Sequence, residues 1–228
     1  MTQVQGAVPG PGGTARTRVR RLPEKAVHDV AVRDAVLDAG LVAHAAVVDA
    51  QGQPYVVPVA YARDGDRLLL HGSTGSRLFR TLAAGAPTCV TVTLLDGLVL
   101  ARSAFESSMR YRGVMVLGRC TALEDDEKSA ALDVLTDHLL PGRRADVRPA
   151  SRKELAATTV LALPLDEWSA KVSEGWPDDA DEDLTHERWG SVWAGVVPMT
   201  TAYGAPQADA ATPPGTPVPD YVEGWARR

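Results

Sequence analysis

"YVVPVAYARDGDRLLLHGSTGSRLF", residues 55–79, decides how this chain folds. Two runs rich in β-branched and aliphatic residues, 55–62 and 67–71, flank "RDGD". Parallel strands need a dozen or more residues between them, usually a helix, whereas antiparallel strands close on a few turn residues. The stretch therefore reads as a β-hairpin. Its second strand ends at His71, breaks into glycines and hydroxyls, and reaches Arg77 as a helical pattern begins.

That break has two readings. Gly72 and Gly75 are suited to positive φ or a close backbone approach, while Ser73, Thr74 and Ser76 supply hydroxyls and an N-cap. Arg77 falls in the first helical turn, and the combination suits a phosphate monoester. A tight turn with a capped helix explains the same residues without a ligand. No GK[ST] follows at Walker spacing and GxGxxG is absent. GSTG here follows a strand, whereas the GXXG loop of a KH domain joins two helices.

The hairpin pattern extends in both directions. Upstream, "LVAHAAVVDA" and the turn "QGQP" add another strand to an antiparallel meander. Before them "PEKAVHDVAVRDAVLDAG" reads as a helix, with Pro23 in its first turn and Gly40 at its end. Downstream, "SRLFRTLAAG" reads as a short helix closed by Gly85. "PTCVTVTLL" alternates Cys89, Thr91 and Thr93 against Val90, Val92 and Leu94, and "DGLVLARSAF" and "YRGVMVLGRCTALE" read as two further strands. "DDEKSAALDVLTDHLLPG" has acids in its first turn, Leu132, Leu135 and Leu139 on one stripe, and a Pro-Gly stop. "TTVLALPLDEWSAKV" reads as one long strand bent at Pro164. The expected class is mainly β with peripheral α helices, the sheet forming a barrel or sandwich wall. Residues 1–15, rich in Gly, Pro and Ala, read as a flexible arm, 16–204 as one domain, and 205–228 as a Pro/Ala-rich tail.

Composition removes several functional classes. The chain has 228 residues, 45% hydrophobic and 23% charged, the balance of a globular protein. A formal net charge of -5 and a pI near 5.5 supply no field for a nucleic-acid backbone. The cluster "RTRVRR", Arg16 to Arg21, reads as a solvated face. No apolar run approaches bilayer length, and the first residues lack a signal-peptide pattern, so the expected setting is cytoplasmic and away from membranes. Cys89 and Cys120 lie in strand-like runs without a CxxC, which reads as reduced thiols. The five histidines lack zinc-ligand spacing, "DDADED" lacks the Gly and terminal Glu of an EF-hand loop, and no GxSxG elbow occurs. Arg110 and Arg112 share a strand face and either clamp an anion or pair with a carboxylate such as Asp96.

In order, "PYVVPVAYARDGDRLLLHGSTGSRLFRTLAAGAPTCVTVTLLDGLVLARSAFESSMRYRGVMVLGR", "EKSAALDVLTDHLLPGR" and "SAKVSEG…WAGVVP" resemble the pyridoxamine 5′-phosphate oxidase-related flavoproteins. The resemblance covers roughly residues 16–220 and is nearest the branch that includes the nitroimidazole-resistance proteins. It implies an FMN-binding split β-barrel that forms a homodimer, with the flavin in a groove between subunits.

By the same resemblance, Pro58, Val59, Ala60 and Tyr61 in "VVPVAY" line the isoalloxazine. His71 and Gly72, with Ser73 beside them, lie near the ribityl chain and phosphate. Ser76 and Arg77 match the "SR" of the family's "SRK", and Leu78 replaces its lysine. Tyr111, Arg112 and Gly113 occupy the strand that reaches the flavin edge. Gly113 replaces a polar residue, and Arg110 stands where this branch commonly carries Asn. Lys171 and Trp176 approach the pocket late in the chain.

The implied activity is an FMN-dependent oxidoreductase that passes hydride between a reduced nicotinamide, NAD(P)H, or similar donor and a small organic substrate. Arg112 or Lys171 would stabilise negative charge, and His71 would donate a proton. Pyridoxamine 5′-phosphate oxidation itself is disfavoured, because "VPDYVEGWARR" lacks that enzyme's basic signature. A non-catalytic flavin carrier or sensor, or a groove holding haem or a deazaflavin, is the alternative.

Overall fold

The central hairpin forms as expected, and the chain builds outward from it into a ten-stranded antiparallel sheet. The computed structural model describes residues 12–225, so the reading of residues 1–11 as an arm lies outside the described residues. Gly12 to Thr17 lie along the body: the Gly12 carbonyl accepts from the Trp168 amide, and Thr14 and Arg16 both bond Glu167.

The helix expected from Pro23 begins later. Pro23–Lys25 make one 3-10 turn, Ala26–Val27 (β1) pair with a strand far along the chain, and only then does α1 (Val30–Ala39) start. Asp29 supplies the N-cap, its carboxylate accepting from the Ala31 amide. Strand β2 (Val42–Val48) pairs with β3 (Pro54–Asp64), which turns through Gly65, at φ +58°, into β4 (Arg67–Ser73). Helix α2 (Arg77–Ala83) follows, closed by Gly85 at φ +82°.

The two expected strands at 87–105 are one. Strand β5 (Pro87–Leu100) runs through Asp96 with a bulge between Leu95 and Gly97, so the "DG" turn signal bends a strand without ending it. It pairs along its length with β6 (Ser108–Arg119). Next come β7 (Thr121–Ala122), α3 (Asp125–Leu139) and α4 (Arg152–Ala157), the last opened by a Ser151–Glu154 capping box.

The single long strand expected at 158–172 is two. Strand β8 (Thr158–Pro164) stops at its proline, which has no N–H for a ladder, and β9 (Trp168–Ser173) starts after a short turn in another part of the sheet. Beyond it lie α5 (Asp181–Thr185), β10 (Gly195–Pro198) against the outer end of β5, and α6 (Asp220–Trp225). The last helix is anchored by Trp225 Nε1 donating to the Pro141 carbonyl.

The strand order is β1-β9-β6-β5-β2-β3-β4-β8-β7. The sheet curls until Gly118 of β6 lies against Leu163 of β8 with no ladder between those strands, which is a split barrel. Its interior holds Tyr61, Leu68, Leu70, Val90, Val92, Val114 and Val116. A second core, Leu69, Val160 and Ala162 under Ala131 and Leu135 of α3, covers the other face of β4 and β8. Double-sided burial explains why those strands read as unbroken apolar runs, "LLL" and "VLAL". The outer face of β2, β3 and β5 has no such cover: Val42, Val48, Val56 and Leu95 are 49%, 56%, 59% and 43% exposed.

Candidate functional site

Helix α2 is fixed by its apolar side. Leu78, Phe79 and Leu82 are buried in the barrel end, and Phe79 sits over Gly72, where a Cβ would meet its ring at 2.3 Å. Gly72 therefore serves a close approach, and neither it nor Gly75 takes positive φ. Leu78 is 3% exposed, so a lysine there would point its charge into the core.

The same helical phase turns Arg77, Arg80 and Thr81 to the other side. They line a cleft of about 590 Å³, with Val48 at the end of β2 and Asp49 and Ala50 of the β2–β3 turn also in its lining. Arg77 stacks on the Tyr55 ring, its guanidinium carbon 4.3 Å from the centroid. Among the described residues neither Arg77 nor Arg80 has a carboxylate partner, whereas most other arginines of the barrel do. The Tyr55 hydroxyl is buried without a partner. Asp49 Oδ1 accepts from the Gln51 and Gln53 amides at 3.0 and 2.9 Å, which holds the turn.

Strand β4 runs two residues past the expected end at His71, through Ser73, because Gly72 and Ser73 still pair with β8, and His71 Nδ1 within it is buried with no partner among the described residues. Burial pulls the His71 pKa below its ordinary value, so the ring is neutral at neutral pH and offers one N–H and one lone pair. Ser73 Oγ accepts from the Gly75 amide at 3.2 Å. Ser76 stands at the N-cap position without a side-chain cap bond, so the expected hydroxyl cap is not formed. With seven residues in α2, the side chains and not the helix end supply the charge here.

The remaining expected residues divide between two faces. On β3, Pro58 and Ala60 face outward, opposite His44 and Val42, while Val59 and Tyr61 turn into the barrel. Tyr61 is fully buried and donates to the Leu37 carbonyl at 2.5 Å, leaving its side chain nothing to offer a ligand. On β6, Tyr111 and Gly113 share the outer face, and Gly113 pairs with Thr93 on one side and Lys171 on the other. A Cβ at Gly113 would sit in ordinary van der Waals contact, nearest the Val92 carbonyl oxygen at 3.7 Å, so the position would accept a side chain without a clash. Lys171 Nζ donates to the Arg21 carbonyl at 3.3 Å.

Strand alternation puts Arg112 on the opposite face, where it makes a two-pronged bond to Asp96 at 2.9 and 2.7 Å. Of the two sequence readings for these arginines, ion pairing is realised for Arg112. Arg110 donates to the Gly175 carbonyl and lies 5.0 Å from the Trp176 ring, which is 73% exposed. Three groupings result: His71 and Ser73 of β4 with Arg77 just beyond it, Pro58, Tyr111, Gly113 and Lys171 on the open face, and Arg110 with Trp176, while Arg112 stands apart on Asp96. Arg80, Tyr55 and Asp49 were not singled out from sequence. Arg80 had a signal, its position three residues after Arg77. Asp49 had none, because only folding brings its turn to α2.

Among the described residues no group of three or more His, Cys, Asp or Glu side chains could hold a metal ion, and no helix is long and apolar enough to cross a membrane. The family model for pyridoxamine 5′-phosphate oxidase matches residues 29–172. No curated protein matches the chain. A solved FAD- and haem-binding protein from Mycobacterium smegmatis is 49% identical, over 89% of this chain and 97% of that one, with a TM-score of 0.84. The flavocytochrome Anf3 from Azotobacter vinelandii is 37% identical, over 95% and 99%, with a TM-score of 0.86. A candidate 5-nitroimidazole resistance protein from Bacteroides thetaiotaomicron is 25% identical, over 64% and 86%, with a TM-score of 0.56.

Proposed function

This chain belongs to the pyridoxamine 5′-phosphate oxidase family, and on that premise we propose that it is a cytoplasmic, flavin-dependent oxidoreductase. It takes hydride from NAD(P)H or a similar donor and delivers it to a small organic acceptor. The observation that carries this reading is Arg77, a cation without a carboxylate partner among the described residues, stacked on Tyr55 in a cleft just past the end of β4 at Ser73. The residues fit a flavin: a cation for phosphate, a buried His71 nitrogen with no partner among the described residues, and an exposed, largely apolar sheet face. FMN, the form the resemblance implies, carries both the ring system and the phosphate that these residues would meet.

A bound flavin supplies the hydride chemistry. The chain's own residues bind and orient it. Arg77 holds the phosphate through charge-assisted hydrogen bonds, and Pro58 and Ala60 present a flat surface to a ring system. The Lys171 ammonium, on the residue paired with Gly113, favours negative charge developing on a ring seated on this face. Arg112 is already neutralised by Asp96, so its part is to tie β6 to the bulge of β5. The neutral His71 ring holds an N–H for hydrogen bonding or proton donation. A second copy of the chain covers the face carrying Val42, Val48, Val56 and Leu95, excluding water from the site.

Absorbance of the purified protein tests the reading. Flavin bands that bleach with NADH or NADPH support it, and a colourless protein that takes up neither FMN nor FAD overturns it. Flavin that binds but is never reduced moves the protein to the carrier or sensor class. A monomer in light scattering removes the second copy.

One observation favours haem as an additional group. The similarity to the two haem-associated structures extends over 89% and 95% of this chain, well past residue 172, where the family match ends. Haem iron takes a neutral imidazole. The proposed ligand is His71, whose buried Nδ1 has no partner among the described residues and whose burial shifts it toward the neutral form. A pyridine haemochrome assay decides whether haem is present, and loss of haem with retention of flavin in His71→Ala would assign the ligand.

A further inference from the structure

We infer that the hydride donor is NADPH in preference to NADH, and that the phosphate on its adenosine ribose is held by a cationic edge built where the entering chain joins β9. The inference rests on the hydride-transfer reading above. Arg18, Arg20 and Arg21 are exposed and make no ion pair among the described residues, whereas Arg16 beside them is held by Glu167. Two ammonium groups join them. Lys25 Nζ donates to the Ser173 hydroxyl at 3.1 Å and Lys171 Nζ to the Arg21 carbonyl at 3.3 Å, both neutral acceptors. Glu24 and Glu174, the acids adjoining Lys25 and Ser173, are exposed and form no ion pair among the described residues.

The fold sets these cations beside the open face. The Trp168 amide donates to the Gly12 carbonyl and Ala26 pairs with Lys171, which fastens the entering chain along β9. Lys171 in turn pairs with Gly113, and Ser173 with Tyr111. From Gly113 across β9 to Ala26 is two strand spacings, about 10 Å. A nicotinamide lying on the open face therefore has only to extend over β9 for the adenosine half of its dinucleotide to meet the edge. Arg77, assigned to the flavin phosphate, follows β4, and β6, β5, β2 and β3 separate that strand from β9 in the strand order. The flavin phosphate leaves the edge cations unused.

NADPH differs from NADH by one phosphate monoester, which carries a charge of about -1.5 to -2 at neutral pH. A chain of net charge -5 repels both donors, and the local cluster of cations reverses the field for the one with the extra phosphate. In the reaction the donor gives a hydride, with both electrons, to the bound flavin and leaves as NADP+. The phosphate takes no part in that step and serves recognition alone.

Binding and turnover test this separately. By calorimetry on the protein as purified, 2′,5′-ADP is expected to bind at least about tenfold more tightly than 5′-AMP, and about 0.5 M salt to narrow the gap. In stopped flow, kcat/KM for flavin reduction is expected to be at least about tenfold higher with NADPH than with NADH, through KM. Joint replacement Arg18→Ser, Arg20→Ser and Arg21→Ser removes both preferences and leaves FMN affinity unchanged. These side chains make no hydrogen bond among the described residues, so the variant folds, which circular dichroism confirms. Arg77→Ala keeps the preference for 2′,5′-ADP; its loss there would place the phosphate in the cleft and overturn the inference. Equal use of the two donors, equal binding of the two adenosine phosphates, or preferences that survive the triple variant also overturn it and leave the flavin reading standing. Flavin that binds and is reduced by neither donor overturns it together with the oxidoreductase reading.

Discussion

Replacing Arg77 with alanine separates the cleft's binding role from its structural one. The guanidinium stacks on Tyr55 at 4.3 Å and has no carboxylate partner among the described residues, so truncation breaks no ion pair within the protein. The structural loss is one cation–π contact, about 0.5–1 kcal/mol at a partly exposed site. For a domain of this size that lowers Tm by roughly 1–4 °C. The loss in binding is larger, because hydrogen bonds to a charged group contribute about 1.5–3 kcal/mol. At about 1.4 kcal/mol per decade, the Kd for FMN rises roughly 10- to 150-fold. Arg77→Lys falls between, keeping the charge and losing the planar fork. Titration by quenching of flavin fluorescence, at low and high salt, reads both terms, and salt should weaken the wild type more than Arg77→Ala. A Kd within about threefold of wild type, with the small Tm shift still present, would show that the phosphate is held elsewhere and refute the assignment.

Tyr61→Phe removes the donor to the buried Leu37 carbonyl, costing about 1–3 kcal/mol in urea unfolding with flavin affinity unchanged, and an affinity loss would mean the ring reaches the ligand after all. His71 titrates below its ordinary value because burial penalises the imidazolium. The unfolded chain therefore takes up the proton first, so this residue's contribution is intact above a pH of about 6.5 and is lost as pH falls toward and through the lower folded value. His71→Gln in the apoprotein should flatten the fall of the urea midpoint across that window, and an unchanged slope contradicts the placement. Burial pushes the Cys120 thiol up to about 12 and raises Cys89 as well, so Ellman's reagent should leave both unmodified in the native protein and titrate both after unfolding. Rapid native labelling of Cys120 would show that its strand end is open.

What the sequence conveyed was local. The "RDGD" hairpin and the alternation from Cys89 to Leu94 follow from turn chemistry and a period of two, and both are present in the register of β3 with β4 and of β5 with β6. Where the reading failed, a distant segment had decided the outcome. Residues 23–29 carry helix-compatible side chains, yet Ala26 and Val27 pair with Lys171 and Ala170, a contact no window of sequence contains. The stretch across Pro164 has strand composition on both sides. Its division into β8 and β9 is set by separate partners, β4 for one and β6 for the other, and Glu167 in the turn is bound by Thr14 and Arg16 of the entering chain.

The cleft shows the same division within a single site. The spacing of Leu78, Phe79 and Leu82 already defines a buried side for α2, and the complementary spacing of Arg77, Arg80, Thr81 and Ala84 defines the exposed one. The substitution at Leu78 was therefore a statement about helical phase and not about a lost charge. Asp49 and Val48 could not be joined to those arginines in advance, since the β2–β3 turn meets α2 only because β2 pairs with both β3 and β5, which places the turn over the end of the barrel that Phe79 closes. A site made of one helix face and one distant turn is legible by half, and the legible half is the pair of cations. That pair favours an anionic ligand, and the carboxylate and small apolar side chains across from it complete a lining that no single window of sequence contains.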